Sequence, residues 1–345
     1  MDLIPEPLIF DFLIRLPVKS LVRFKCINRF CLNDDLSSAS TVYFFTVKDY
    51  TTAPAVLEYS VRVSFDSYIV LPSCNGLVCF YGAHGGGIHV CNPTTKDTVR
   101  LPGPSATAFR SLRCGFGFDL KTCTYKIIRI SEQINHFAED PKIDIFTMGY
   151  DNSWRTIKYN AAGFGFLNRQ PPVFAIGFFC WITAYSSSSS SPSTSSSGFL
   201  IASFNIESET FGFIDPPKTV SSKNWSMLCL HELQGKLCLV DMDFNLNPAG
   251  NNKRIDIWFL VSDAGNKIHK WVQESIFHPS EPLQAMRPVA IDDREILLHG
   301  FIKGLGNLNW YNLQTRSFRR AEIKGSFSPY FHISDYVESL VPLNG

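Results

Sequence analysis

Five residues whose types could hold a metal ion crowd one short stretch of this 345-residue chain: Cys74, Cys79, His84, His89 and Cys91. Thiolates and imidazoles are the usual ligands of tetrahedral zinc, which needs four of them to converge on one point. Their spacing works against convergence. If Gly82-Ala-His-Gly-Gly-Gly87 turns a hairpin, Cys79 falls opposite Val90, while His89 and Cys91 point to the other side, because successive strand residues alternate faces. The reading is two strands joined by a glycine turn, with no metal site. The same glycines lack the strand-to-helix context and the Lys-Ser/Thr pair of a phosphate loop. No cofactor is expected.

Hydrolytic chemistry is equally thin. The chain has neither G-x-S-x-G nor H-E-x-x-H. Asp144 and Asp256 hold equivalent places in two apolar runs, each flanked by isoleucines, and paired strand carboxylates do serve glycosidases. The plainer expectation is that both face solvent from alternating strands. His231, His278 and His332 stand apart from one another. No catalytic residue is assigned.

The elements that would position these side chains repeat. Five segments share one design: a short apolar run, a turn rich in Asn, Asp, Ser, Thr or Gly, and a second run. They start at Ile88, Ile143, Phe199, Ile255 and Asn309 and reach Leu101, Ile157, Ile214, Val272 and Ile323. Each reads as a hairpin. The second arms carry Val99, Trp154, Phe211, Trp271 and Phe318 in corresponding places. Most hairpins follow a strand that begins near a glycine, as in Asn75-Gly-Leu-Val-Cys-Phe80 and Gln234-Gly-Lys-Leu-Cys-Leu239. A unit recurring at roughly 40–60 residues is the mark of radially arranged four-stranded sheets, so a mainly β fold, a β-propeller, is expected. A two-sheet sandwich would not need that order to recur. The ring is expected to close by pairing Tyr43–Val47 or Val61–Val70 with Ile333–Val341. Ser186 to Ser197 and Asn245 to Lys253 are polar enough to be flexible loops between strands.

The N-terminus is different. Leu8, Ile9, Phe12, Leu13 and Leu16 recur at helical spacing, Pro17 stops the pattern, and a second helix restarts near Val18. Phe10 and Ile14 fall off the stripe, so the piece is apolar on more than one side. Its surplus must pack on the rest of the chain or on another protein.

At these residues the sequence resembles the F-box of plant F-box proteins. That pattern runs L-P-x-x-L, then R-L-P-V-K-S-L-x-R-F-K-C-V-x-K-S-W, and Ile4-Pro5, Leu8 and the run from Arg15 to Cys26 match it. Arg29-Phe30-Cys31 stands where the family has K-S-W, and the family's closing D-P-x-F-x-x-x-H is missing. Farther on, Ser73-Cys-Asn-Gly-Leu-Val-Cys79, Asn92-Pro-Thr-Thr95 and Leu101-Pro102 resemble the motifs of the F-box-associated, kelch-like domain. So does Gly115-Phe-Gly-Phe-Asp119 with Tyr125-Lys-Ile-Ile-Arg-Ile130.

The resemblance implies a small helical F-box over residues 1–42 and a kelch-like propeller over 43–345. It implies that Pro5, Leu8, Leu13, Leu16, Pro17, Val18 and Leu21 dock a Skp-type adaptor, and through it a cullin. The chain would then be the substrate-recognition subunit of an SCF-type ubiquitin ligase, a non-catalytic receptor whose propeller captures a protein target. Some relatives with this architecture recognise stylar ribonucleases in self-incompatibility. Two alternatives stay open: a propeller-fold enzyme such as a glycosidase, and a degenerate F-box acting as a plain binding module, the latter motivated by Cys31.

Composition sets outer bounds. Lys and Arg total 32 against 31 for Asp and Glu, which leaves no basic field for nucleic acid and no polybasic patch for a membrane. No apolar run reaches the ~20 residues of a membrane span, so a cytoplasmic or nuclear protein is expected. The ten cysteines then read as reduced thiols within strands. Aromatics at 14% with charged residues at 18% fit a chain of buried strands.

Overall fold

The structure, a computed structural model, describes residues 23–30, 40–47, 56–63, 68–82, 87–102, 109–133, 141–159, 170–184, 199–220, 228–244, 253–262, 269–277, 285–291, 295–302, 305–321 and 332–343. Among them, strands form six four-stranded antiparallel sheets arranged as the blades of a propeller. The first blade holds β1 (Arg23–Phe30), β2 (Ser40–Val47) and β3 (Val56–Val63). The second holds β4 (Tyr68–Val70), β5 (Val78–Gly82), β6 (Ile88–Asn92) and β7 (Asp97–Arg100). In the third are β8 (Phe109–Asp119), β9 (Thr124–Gln133), β10 (Lys142–Thr147) and β11 (Arg155–Thr156). The fourth runs β12 (Val173–Ala175), β13 (Phe178–Ala184), β14 (Phe199–Asn205) and β15 (Thr210–Ile214). The fifth runs β16 (Leu228–Leu233), β17 (Lys236–Phe244), β18 (Lys253–Ser262) and β19 (His269–Phe277). The sixth runs β20 (Ala285–Ile291), β21 (Glu295–Ile302), β22 (Leu305–Asn312) and β23 (Ser317–Ala321). The last strand, β24 (His332–Tyr336), returns to the first blade.

Each blade is apolar on both faces because each face packs on a neighbour, and the alternation of a single strand shows it. On β5, Val78 and Phe80 join the first blade's Val42 and Phe44, while Cys79 and Tyr81 join Leu112, Cys114 and Ile127 of the third. On β13, Phe179 and Trp181 face the third blade, and Cys180 and Ile182 the fifth. β17 repeats the pattern, with Leu237 and Leu239 toward the fourth blade and Cys238 and Val240 toward the sixth. Five apolar clusters thus fill five consecutive inter-blade spaces. Truncating one of these large side chains to Ala typically costs about 2–5 kcal/mol.

Closure uses both ends of the chain. β24 pairs with β1, placing Arg23 opposite Tyr336, and β1 in turn pairs with β2. The early region 43–47 and the late strand are therefore in one sheet, as expected, but they are not direct partners: β1 lies between them. Residues 23–30, which the sequence assigns to the helical N-terminal module, are extended here. Phe24, Cys26 and Phe30 of that stretch also read at period two, and a strand at this position has an edge on each side to satisfy its backbone donors and acceptors. The late strand stops at Tyr336, short of the expected Val341.

The Gly115-Phe-Gly-Phe118 run has a packing cause. Phe116 and Phe118 enter the cluster with the second blade. A Cβ on Gly115 would come within 2.8 Å of the Phe179 ring, and one on Gly117 within 2.4 Å of the Phe174 ring. The glycines let the fourth blade's aromatic rings lie against the β8 backbone.

Candidate functional site

The seven adaptor-docking candidates, Pro5, Leu8, Leu13, Leu16, Pro17, Val18 and Leu21, lie outside the described residues, as do Cys31, His84 and Ser186–Ser197. What the structure does give is the point where their segment joins the propeller, at Arg23. In a four-stranded meander the first and third turns emerge on one face of the propeller and the remaining connections on the other. Arg23 opposes the end of β24, so the N-terminal segment enters on the first face, that of the tight turns.

Four of the turns on that face share one construction. Asn92 Oδ1 accepts the amides of Thr94 and Thr95, Asp119 Oδ1 those of Lys121 and Thr122, Asn205 Oδ1 those of Glu207 and Ser208, and Asn312 Oδ1 those of Gln314 and Thr315. The fifth residue of each, Lys96, Cys123, Glu209 and Arg316, takes a positive φ. A side-chain bond of 2.7 Å ties the fourth residue to the sixth: Thr95 to Asp97, Thr122 to Thr124, Ser208 to Thr210, and Thr315 to Ser317. The sequence signal, Asn/Asp-x-x-Ser/Thr-x-Ser/Thr/Asp, is a turn whose own side chain satisfies its backbone. It could have been found as a repeat.

One such turn does more. Asn92 Nδ2 donates to the carbonyls of both Ser339 and Val341, each at 2.9 Å, and the Tyr336 and Thr94 hydroxyls meet at 2.8 Å. Beneath the same tail lies Gly76, at φ +79°, where a Cβ would fall 2.3 Å from Ser339 Cβ. The residues 337–343 are thus strapped across the second blade by the Cys-Asn-Gly and Asn-Pro-Thr-Thr motifs.

The third and fourth blades are joined on this face by charge. Lys126, with its side chain 6% exposed, contacts Asp119 at 3.0 Å and Glu209 at 3.2 Å and donates to the Ile206 carbonyl at 2.8 Å. Arg155 donates through both terminal nitrogens to the Glu209 carboxylate, 3.0 Å each, and Lys121 reaches Glu207. Burial alone would raise the Asp119 carboxyl, but hydrogen bonds from Lys126, Thr122 and Lys121 outweigh it and hold it below its ordinary value. The Arg155 fork does the same for Glu209. Between the second and third blades, the Trp154 indole donates to the Pro102 carbonyl, and Trp271 repeats the bond to Asp215 between the fourth and fifth. The aromatic residues of the second arms therefore include inter-blade locks.

Among the described residues, the cysteines, histidine and aspartates whose types could do chemistry do not converge. Cys79 opposes Val90, the register expected. Cys79 packs toward the third blade and Cys91 toward the first, while His89 stacks flat on Phe80 with centroids 5.2 Å apart. Burial pushes the His89 imidazole down to about 4, helped by Arg100, so it is neutral near pH 7. Among the described residues no group of three or more His, Cys, Asp or Glu could hold a metal ion. The aspartates require a correction: Asp144 and Asp256, expected to face solvent, are 1% and 6% exposed. Both faces of these blades are covered, so alternation does not lead outward. Asp144 accepts from Arg129 at 2.7 Å and from Thr156 at 2.7 Å, and Arg129 also lies over the Trp154 ring. Asp256 lies opposite Asp241, itself buried.

Residues 29–340 match the family described as the F-box associated beta propeller domain. The chain belongs to that family. The F-box-associated propeller is also similar to an F-box/kelch-repeat protein of Arabidopsis thaliana, 23% identical over 345 residues, covering 90% of this chain and 88% of that one. An F-box protein of the same plant is 24% identical over 302 residues, covering 77% of this chain and 89% of the relative. Among solved structures, the beta-propeller domain of the Trilobed protease from Pyrococcus furiosus has a TM-score of 0.41 at 8% identity, over 86% of this chain and 79% of that one. No helix among the described residues is long and apolar enough to cross a membrane.

Proposed function

We propose that this F-box-associated propeller is the target-recognition subunit of an SCF-type cullin ubiquitin ligase. Pro5, Leu8, Leu13, Leu16, Pro17, Val18 and Leu21 dock a Skp-type adaptor, and the propeller holds a protein target. The observation that carries the reading is the joint one: a propeller of the F-box-associated family, with six blades among the described residues, and a near-verbatim Arg15–Cys26 run whose last four residues lie in the first strand of its first blade. The names of the two Arabidopsis relatives support the same role.

No reaction of its own is needed for this function. A captured target is kept near the ligase's activated ubiquitin, which raises the effective concentration of target lysines. The N-terminal segment enters on the tight-turn face, so the opposite face, carrying the longer connections, is left to the target. That assignment follows the general tendency of loops on a rigid scaffold to carry recognition.

The glycosidase alternative loses its best candidate in Asp144. A nucleophile or general acid must be free to meet a substrate, and Arg129, Thr156 and Lys142 already surround that carboxylate.

Pull-down of a Skp-type adaptor by the full chain, paired with circular dichroism of each variant, tests the proposal. An apolar anchor in a desolvated interface is worth roughly 2 kcal/mol or more, so Leu16→Ala or Leu21→Asp weakens capture at least about tenfold with the fold retained. A folded wild-type chain that fails to bind would overturn the ligase reading in favour of a degenerate F-box. Cys31→Trp, which restores the family's aromatic ring, would then be expected to recover binding.

A further inference from the structure

The strap formed by residues 337–343 has two sides, and only one is used by the propeller. Its inward side is occupied: Asn92 holds the Ser339 and Val341 carbonyls, and Val341 and Leu343 pack against the cluster between the second and third blades. Its outward side carries Val337 and Leu340, 54% and 83% exposed. Two apolar side chains on a segment anchored this firmly form a small rigid apolar step, fixed in place by bonds that do not involve them.

The segment best situated to cover that step belongs to the same chain. Arg23 pairs with Tyr336, so residues 1–22 leave the propeller beside the place where the strap begins. Leu340 is four residues farther on, about 13 Å at the rise of an extended chain, well within reach of a segment of this length. The segment also has apolar surface to spare. Leu8, Ile9, Phe12, Leu13 and Leu16 make one stripe, while Phe10 and Ile14 lie off it. So short a piece cannot bury both in a core of its own.

We propose that residues 1–22 seat their off-stripe apolar residues, Phe10 and Ile14, on Val337 and Leu340, fixing the N-terminal module against the tight-turn face. The stripe carrying Leu8, Leu13 and Leu16 is then left outward for a partner. The C-terminal strap thereby acts twice, closing the ring on its inner side and orienting the N-terminal module on its outer side. The contact is intramolecular, so it exists whether or not these residues bind an adaptor.

Hydrogen exchange of the full chain, measured without any adaptor, tests it. Amides of residues 8–21 are expected to be protected in the wild type and to exchange at least about tenfold faster in Leu340→Asp, with β5 and β13 unchanged. Leu120→Asp, at a residue 79% exposed on a turn of the third blade, serves as the control and leaves residues 8–21 protected. A photoreactive side chain placed at 340 is expected to cross-link to residues 8–16 within one molecule. Equal exchange in wild type and Leu340→Asp, or cross-links only between molecules at rising concentration, would overturn the proposal. If Leu340→Asp also loosened the propeller, the cross-link in the otherwise native chain would decide.

Discussion

On one face of the propeller, the connections opened by Asn92, Asp119, Asn205 and Asn312 repeat a single turn, each fixed by its own side chain and by a bond between its fourth and sixth residues. On the other, the connections include 185–198 and 245–252, polar stretches without repeat. The first face also carries the strap over the second blade and the ion network between the third and fourth. The constraints on this molecule are therefore unevenly placed. Among the described residues, ring closure, chain entry and inter-blade charge are concentrated on one side, so the other can vary its sequence without disturbing those ties.

The sharpest way to break that contrast is at Lys126. Lys126→Ala leaves the buried Asp119 carboxylate without its cation and removes one of the two cations on Glu209, and should destabilise the propeller by about 3–5 kcal/mol in denaturant unfolding. A loss under about 1 kcal/mol would mean that the tight-turn face is not held by charge. Asn92→Ala comes next. It strips the Ser339 and Val341 carbonyls of their donor and the turn of its acceptor, with an expected loss of about 2 kcal/mol. Early exchange of the β24 amides should accompany it.

Glu209→Gln should be milder, about 1 kcal/mol near neutral pH, since Arg155 is half exposed and screened by solvent. Its sign with pH follows from the lowered carboxyl. The wild-type advantage is full above the ordinary carboxylate value, roughly pH 4, and is lost as pH falls through the lower folded value. Melting curves of the two proteins should therefore converge below roughly pH 4. On the opposite face the effect should be least: deleting Ser186–Ser197 changes stability by less than about 1 kcal/mol, because closure entropy grows slowly with loop length. A sharp fall in melting temperature would show that the serines pack.

The repeat was legible because hairpins are local. Five units read from their turns and second arms are five of the six blades, and the apolar runs left over at the two ends make the sixth. What could not be read was non-local. Nothing near Arg23 announces that β24 will come to its edge, so a stretch with both helical and period-two character was assigned by its neighbours. Asp144 looked solvent-facing because alternation says that a strand has two faces, not that both are covered. The pairing of Asn92 with Ser339 and Val341 spans most of the chain, although the asparagine and its turn were visible as a motif. Lys126 and Glu209 were missed for the same reason: each lies in an ordinary strand or turn, and only the meeting of two blades makes them a pair.

The division of labour between the faces is tested most directly by affinity purification from plant tissue with ligase activity blocked, comparing the wild-type chain with one in which residues 134–140 and 245–252 are replaced by glycine-serine linkers. Recovery of target proteins is expected to fall at least about tenfold, while recovery of the Skp-type adaptor stays unchanged. Targets retained by that variant, and lost instead on Leu120→Ser with Tyr150→Ser in the tight turns of the third blade, would contradict the account.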